Sequence, residues 1–309
     1  MAIRTDSSYV LAYTTVAGIY EDVGDFESAQ AFYLKAAEYD PTDVEILNDI
    51  GNYYYNNREY EKALEYYRKI FDLNPEYKYA LVNLGNTYDA LGETGKALEY
   101  YERATLADDE YLYAFQMLGQ TYYKSGEYEK SVQYFNRVIE LNTEYLWSYD
   151  YLGYVYYNLL EYKKAIPYFE KVLAIDPSFT DAWYQLGNVY QHLEKYKDSE
   201  RHFKKCLELD PENYNYLVGL AYTYLRMEKY DESKELFQKS IDLSPDTPFN
   251  YYNMACFYAI QYMENEAFEW LEKAFEKGFD NFDHIRTDPD LENIRESDGF
   301  DELLKKYEE

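Results

Sequence analysis

One tyrosine column constrains this chain more than any other feature of its sequence. The column recurs every 34 residues without an insertion or a deletion. Its members are Tyr20, Tyr54, Tyr88, Tyr122, Tyr156, Tyr190, Tyr224 and Tyr258. Gly or Ala precedes each of them by three positions, and Ala or Ser follows each by nine. A period this short predicts one stacked array of similar units rather than separate globular domains.

Each unit carries the pattern of two amphipathic helices. In the fifth unit, the apolar residues Tyr149, Leu152 and Tyr156 form one run and Ala165 and Phe169 another, with spacings of three or four inside each run. A short polar break separates the runs. The second run usually ends before an Asn-Pro, Asp-Pro or Ser-Pro pair, because a proline pushes the preceding residue out of the helical region. The sequence therefore predicts an all-α fold of eight helix-turn-helix repeats. The predicted repeats begin at positions 10, 44, 78, 112, 146, 180, 214 and 248.

These columns resemble the tetratricopeptide repeat, whose pattern is W-x2-L-G-x2-Y, then A-x3-F, then P. The sixth unit matches best and departs from the pattern at Ser199, where the family has alanine. Its matching residues are Trp183, Leu186, Gly187, Tyr190, Phe203 and Pro211. The resemblance covers residues 10–281 and implies a right-handed α-solenoid.

Two shorter segments flank the repeats in this prediction. Residues 1–9 are a lead-in, and residues 282–309 are a helical cap that covers the open end of the last repeat. Asp288 and Pro289 are typical of the N-cap and the first turn of a helix. Phe300, Leu303 and Leu304 indicate a further helix. The segment resembles tails that follow such repeats in bacterial proteins, which suggests a bacterial source.

The charge balance excludes several classes of partner. Lys and Arg total 30 against 59 Asp and Glu, so the formal net charge is −29. Such a surface repels phosphate backbones and anionic lipid head groups, and we expect neither nucleic acid nor membrane as a partner. The same charge also serves the solubility of an extended surface.

Residues that commonly form catalytic or metal-binding sites are few in this sequence and lie far apart. Cys206 and Cys256 form no metal or disulfide framework, which favours a cytoplasmic location, as does the lack of a signal-peptide or membrane-spanning apolar run. His192, His202 and His284 have no partner at metal-ligand spacing, and the chain has no glycine-rich phosphate loop. The sequence predicts no cofactor, no metal and no enzymatic activity.

The resemblance places a binding groove on the first helix of each repeat, at positions 2, 5, 6, 9, 12 and 13. Position 9 is a side-chain amide in four units, and further amides, among them Gln185, Gln191 and Asn253, stand at neighbouring groove positions. An amide can pair with a peptide backbone in any sequence, although a solvated family residue is an equal interpretation. Aromatic side chains cluster in the fourth and fifth units, where they form either a binding floor or packing between repeats. The predicted groove residues are Asn52, Tyr55, Asn83, Asn86, Tyr113, Gln116, Gln120, Tyr123, Trp147, Asp150, Tyr151, Tyr154, Tyr157, Tyr184, Asn188 and Tyr222.

Charge in this groove indicates the partner. Seven acids oppose only Lys124 and Arg226, which favours a neutral or basic polypeptide with apolar side chains. Relatives that bind chaperone tails use a clamp of cations, and Asn48, Tyr113 and Met117 stand where those cations would be. We expect a scaffold or adaptor that binds an extended segment or a helix. A glycan- or small-molecule-binding module and a self-assembling scaffold are the alternatives.

Overall fold

The computed structural model describes residues 7–308, and every regular element within that range is helical. None of the helices in these residues is long and apolar enough to span a membrane. The structure divides into two compact units, one ending at Tyr151 and the other starting at Leu152, and each is described by itself.

Sixteen helices form eight antiparallel hairpins. The first helices are α1 (Ser7–Asp22), α3 (Val44–Asn56), α5 (Lys78–Ala90), α7 (Leu112–Lys124), α9 (Leu146–Asn158), α11 (Thr180–His192), α13 (Tyr214–Arg226) and α15 (Pro248–Ile260). The second helices are α2 (Phe26–Tyr39), α4 (Tyr60–Leu73), α6 (Thr94–Ala107), α8 (Tyr128–Leu141), α10 (Tyr162–Ile175), α12 (Tyr196–Leu209), α14 (Tyr230–Leu243) and α16 (Glu264–Glu276). The chain is thus the all-α solenoid of helical hairpins that the period predicts. Helix α1 begins within the predicted lead-in, and residues 1–6 of that lead-in lie outside the described residues.

The glycine column sets how closely the two helices of a hairpin approach. A Cβ added to Gly51 would lie 2.4 Å from a ring carbon of Tyr67, and one added to Gly85 would lie 2.4 Å from Tyr101. Both rings are fully buried. The small residue and the large ring fill one space between the helices, as close packing requires.

The tyrosine column joins neighbouring hairpins. The Tyr54 ring stacks on Tyr66 of its own hairpin with centroids 5.5 Å apart, while its hydroxyl accepts a hydrogen bond from Gln30 Nε2 of the preceding hairpin at 2.7 Å. The Tyr88 hydroxyl accepts one from Arg68 in the same way, at 2.6 Å. A phenylalanine would keep the stack and lose the bond between hairpins, which accounts for tyrosine at this position.

The turn inside each hairpin needs one residue with positive φ. Gly24, Gly92 and Gly126 occupy it with φ between 74° and 79°, a region open to glycine at little cost. Leu160 and Tyr262 occupy it at φ 60° although they carry side chains. The turn therefore follows from the fold rather than from glycine alone.

The carboxyl-terminal cap comprises α17 (Phe282–Thr287), a 3₁₀ turn (Pro289–Leu291), α18 (Glu292–Arg295) and α19 (Asp298–Glu308). Asp288 caps the 3₁₀ turn, and its side chain accepts a hydrogen bond from the Asp290 amide at 2.8 Å. Phe300 and Leu304 are buried in the core that α15 and α16 share with the cap, whereas Leu303 is half-buried. The apolar end of the last hairpin is covered in this way.

Candidate functional site

All sixteen predicted groove residues lie on first helices, from α3 to α13. Tyr113 and Trp147 are exposed, Asp150 is buried, and the others are half-buried. The burial of Asp150 differs from the expectation of a groove carboxylate, because its side chain belongs to the helix packing. These residues are described below within the compact unit that holds each of them.

An amide network links the predicted groove to the core of the first unit. The buried Tyr67 hydroxyl donates to Asn52 Oδ1 at 2.7 Å, and the buried Tyr101 hydroxyl donates to Asn86 Oδ1 at 2.9 Å. Asn83 Nδ2 donates to Asn48 Oδ1 at 2.8 Å. In both Asn52 and Asn86 the acceptor oxygen is thus used within the chain.

The tyrosine hydroxyls fix which way these amides face. Burial raises the pKa of Tyr67 and of Tyr101, so both hydroxyls remain protonated donors at any physiological pH. A donor aimed at the asparagine requires the oxygen, not the NH2 group, on that side. No hydrogen bond from the Nδ2 atoms of Asn52 or Asn86 occurs within residues 7–308. These two NH2 groups are therefore left as oriented donors for a ligand.

A tyrosine ring on the second helix pairs with a groove asparagine in two hairpins of the first unit. Where the ring is Tyr67 or Tyr101, position 9 is asparagine. Where the ring is phenylalanine, no hydroxyl reaches the groove. Tyr154 then packs edge-to-face on Phe169 with centroids 5.6 Å apart, and Tyr222 packs on Phe237 at 5.3 Å.

The aromatic residues of the first unit contact one another across repeats. Tyr123 meets Tyr151 edge-to-face at 5.5 Å, and Tyr151 stacks on Phe135 at 4.9 Å. Tyr113 lies 6.3 Å from Tyr111. The packing interpretation therefore applies to Tyr123 and Tyr151, although both stay half-buried with surface left for a ligand.

Polar side chains of the second unit are mostly engaged within the chain. The Tyr154 hydroxyl donates to Asp181 and accepts from Gln185 Nε2 at 2.9 Å. Gln191 Nε2 donates to Gly219 O at 2.8 Å. Asn188 Nδ2 contacts Gln185 Oε1 at 3.4 Å. The amides of this unit thus differ from the free donors of the first.

His192 closes a small cavity on the second unit. Its ring stacks on Tyr162 at 4.5 Å, and its Nε2 lies 2.9 Å from the Tyr157 hydroxyl. Burial lowers the pKa of His192, which favours the neutral ring. The cavity measures about 210 Å³ and is lined by Gln191, His192, Tyr196, Tyr222 and Arg226.

Both predicted groove cations already contact acids of the chain. Lys124 Nζ lies 3.3 Å from Asp89, and Arg226 binds Asp290 of the cap. Burial raises the pKa of Asp49, and the nearby Glu45 and other carboxylates raise it further. The groove face of the first unit therefore has a surplus of negative charge.

The cap covers the groove side of the last hairpin. The Tyr252 hydroxyl donates to Asp288, and Asn293 Nδ2 donates to Ala259 O at 3.1 Å. Asn253 and Cys256 are consequently buried. The expectation that Asn253 lines the groove is wrong, because the cap segment takes that place.

Sequence reasoning missed one ring column and one partner column. The ring that stacks on the recurrent tyrosine, such as Tyr66 or Tyr100, lies twelve residues after it, and His202 fills the same position beside Tyr190. The pairing of Asn52 with Tyr67 had no consistent sequence signal, since Gly18 stands with Tyr33 and Asn188 with Phe203. The Arg226 contact with the cap had no sequence signal, since it joins residues far apart.

The repeated helical hairpins, with polar and aromatic side chains along their first helices, define a helical-repeat protein of the protein-interaction scaffold class. The chain belongs to the tetratricopeptide repeat family. Models of the tetratricopeptide repeat match residues 10–43, 42–105, 112–145, 151–179, 180–213 and 202–235. No group of His, Cys, Asp and Glu within the described residues is arranged to hold a metal ion.

Parts of this chain are similar in sequence or structure to known proteins. A chloroplastic protein of Arabidopsis thaliana is 43% identical over 58 residues, which are 19% of this chain and 17% of that protein. This chain thus matches under a fifth of that relative's length. The structure of MamA is 29% identical with a TM-score of 0.51, over 55% of this chain and 92% of MamA. YrrB, described as having an unusual peptide-binding site, is 23% identical with a TM-score of 0.52, over 60% of this chain and 95% of YrrB, and shows the fold alone.

Proposed function

We propose that the chain binds an extended polypeptide segment along the first helices of its hairpins and carries out no chemistry itself. The observation that carries this proposal is the pair of asparagines, Asn52 and Asn86, whose oxygens are held by buried tyrosine hydroxyls. Two oriented NH2 donors, one repeat apart, suit the carbonyl groups of a peptide backbone.

The spacing of the donors suits an extended chain. Packed helices lie about 8–10 Å apart, so equivalent atoms on α3 and α5 are separated by about that distance. An extended peptide in the polyproline II conformation rises about 3.1 Å per residue and has three residues per turn. Carbonyl groups three residues apart would therefore reach Asn52 and Asn86, and the side chains between them remain free to contact nearby rings such as Tyr55.

The charge of the groove suits a neutral or basic segment. Asp49 and Glu45 lie beside the amides on α3, and Lys124 is already paired with Asp89. A lysine or arginine in the ligand would relieve the repulsion among these carboxylates. Because Cys206 and Cys256 are free buried thiols, we place this binding in the cytoplasm.

A small-molecule or glycan site receives less support from the groove. The cavity beside His192 measures about 210 Å³. Ligand pockets are commonly about 300–1,000 Å³. A surface lined by repeated amides and rings fits a chain molecule better than this cavity fits a compact one.

The experiment removes the NH2 donors of Asn52 and Asn86 and keeps an oxygen acceptor at each position. In the double variant Asn52→Asp with Asn86→Asp, a carboxylate oxygen still accepts from Tyr67 or Tyr101, but both NH2 groups are lost. An array of uncharged twelve-residue peptides would supply a ligand, to be titrated by calorimetry, because the two added carboxylates would attract a basic peptide. We expect the double variant to weaken binding at least about tenfold, since two hydrogen bonds to the ligand are lost.

The matched control is Asn74→Asp, which makes the same chemical change in a turn between hairpins. Asp occupies the equivalent position at Asp40 and Asp108, so the fold accepts it. Binding should survive in this variant. Equal affinity of the wild type and the double variant, or no peptide bound by the wild type, would rule out the proposal.

A further inference from the structure

A larger cavity lies outside the predicted groove, on the second unit. It measures about 520 Å³ and lies among α10, α11 and α12. This volume is within the usual range for ligand pockets. Leu173, Ala174, Trp183 and Leu186 form its apolar wall. Trp183 and Leu186, which α11 contributes, do not occupy groove positions of their hairpin, so a molecule bound here would not fill the predicted groove.

His202 borders this cavity with a smaller ring than the equivalent residue of the preceding hairpins. The equivalent residues are Phe32, Tyr66, Tyr100, Tyr134 and Tyr168. Each of them stacks on the recurrent tyrosine of its hairpin, as Tyr134 does on Tyr122 with centroids 5.6 Å apart. The imidazole of His202 is tilted by 32° against Tyr190 and lies 5.5 Å from the Trp183 ring. It leaves space beside Trp183 that a phenol ring would fill.

One ring nitrogen of His202 has no partner. The side chain is 4% exposed, and its Nδ1 atom lies 2.7 Å from Asp198 O. A carbonyl oxygen only accepts, so Nδ1 carries the hydrogen and donates it. Burial lowers the pKa of His202, and the ring at pH 7 is therefore neutral with a lone pair on Nε2. No residue in the range 7–308 donates to Nε2, so the ring has an unused acceptor at the cavity that it lines.

Trp183 and Lys205 line the cavity but donate to other atoms. Trp183 Nε1 donates to Pro177 O at 3.0 Å. Lys205 Nζ donates to Glu208 Oε2 at 2.8 Å. A ligand that supplies a donor to His202 Nε2 therefore gains a hydrogen bond that the chain itself does not make. Such a bond is favoured because an unpaired buried polar atom costs free energy.

The lining of the cavity has no net charge, unlike the chain as a whole. Arg201 and Lys205 oppose Glu170 and Glu208 there, whereas the formal charge of the chain is −29. Arg201 also lies 3.7 Å from Asp198, and its side chain is 69% exposed. Because these charges oppose one another, neither an anion nor a cation gains much from them. The lining therefore favours an uncharged ligand.

We infer that this cavity binds a neutral aromatic molecule with one N–H or O–H donor, such as an indole or a phenol. The ligand ring packs against Trp183 and the apolar wall, where aromatic rings attract one another in offset or edge-to-face arrangements. Its donor meets Nε2 of His202. The same chemistry occurs in a free small molecule and in a tryptophan or tyrosine side chain of another protein.

Indole and benzofuran are the probes, because they have nearly the same shape and differ in the N–H group. An NMR titration of isotope-labelled protein, followed at the indole N–H signal of Trp183, measures both affinities. Trp183→Phe identifies that signal. We expect indole to bind at least about fivefold more tightly than benzofuran, since benzofuran leaves the acceptor of His202 unpaired.

His202→Leu removes the acceptor, and the two probes should then bind equally. The fold accepts leucine at this place, because Leu236 is the equivalent residue of the next hairpin. The matched control is Tyr100→Leu in the first unit. It loses a stacked ring at the equivalent position without changing the cavity, so it should keep the preference for indole. Thermal unfolding verifies that both variants are folded.

Three results would each overturn the inference. They are a Trp183 signal that indole does not shift, equal affinity of the wild type for both probes, and a preference for indole that survives in His202→Leu. A short peptide with one tryptophan between glycines distinguishes the two sources of the ligand. Binding as tight as that of indole indicates a side chain of another protein, and weaker binding indicates a free small molecule. Asn52 and Asn86 lie in the first unit, so groove binding and this site fail separately.

Discussion

Asp49, in the groove of the first unit, is a carboxylate whose ionisation lowers the stability of the folded chain. It is half-buried on α3, and burial raises its pKa together with Glu45, Asp43 and Glu21. A folded-state pKa above the unfolded value means that the folded chain holds the proton more tightly. The penalty for the ionised carboxylate is therefore absent below the unfolded pKa and fully present above the folded one.

We predict that Asp49→Asn stabilises the chain at pH 7. The gain should be up to about 1 kcal/mol, the usual size for partly exposed charges, and it should shrink as the pH falls through the Asp49 pKa. Thermal unfolding at pH 7 and pH 4 measures both effects. Glu99→Gln, at an exposed position on α6, is the control and should change the melting temperature little at either pH. A gain that grew toward acid pH would contradict the prediction.

The sequence indicates most residue roles that depend on one hairpin. The small column and the ring column lie on two helices joined by a short turn, so their contact follows from the period. The orientation of Asn52 was not predictable in this way, because asparagine also appears at Asn188, where the ring is Phe203 and carries no hydroxyl. Asp150 was misplaced because helical position gives the face of a side chain but not how deeply the neighbouring helices bury it.

At the scale of the helical hairpin, close approach depends on Gly85. A Cβ there would lie 2.4 Å and 2.6 Å from two ring carbons of Tyr101, the residue that orients Asn86. We predict that Gly85→Val destabilises the chain by about 1–3 kcal/mol, because the buried ring has to move. The urea midpoint should fall, and peptide affinity should fall with it.

Gly95→Ala is the control for this prediction. A Cβ on Gly95 meets nothing within 4 Å, and the residue lies in α6 with ordinary helical geometry. Alanine should be neutral or stabilising by up to about 1 kcal/mol there, since glycine is the poorer helix former. Equal midpoints for Gly85→Val and the wild type would show that Tyr101 adapts without cost.

Elements beyond the hairpins were less predictable. Helix α19 follows from Phe300 and Leu304, and the capping of Asp288 follows from the proline after it. The path of the cap across α15 depends on contacts between residues distant in sequence, such as Arg226 with Asp290 and Tyr252 with Asp288. Local patterns carry no information on such contacts, and for this reason the burial of Asn253 was missed.

At the scale of the whole molecule, the cap closes the last hairpin of the array. Phe300, Leu304 and Ile285 are buried against the apolar side of that hairpin. An uncovered end face of a helical-repeat array exposes apolar side chains to water and to other molecules. The cap therefore serves both the stability and the solubility of the array.

We predict that a chain ending after Gly278 self-associates more strongly than the full chain. Removing the cap exposes Phe275 and the groove side of α15, and an exposed apolar end face promotes association. Light scattering should show a mass that rises with concentration beyond that of the full chain. Arg226→Gln in the full chain breaks only the Asp290 contact and should leave the mass unchanged. If the shortened chain kept the mass of the full chain and lost only melting temperature, the cap would act on stability alone.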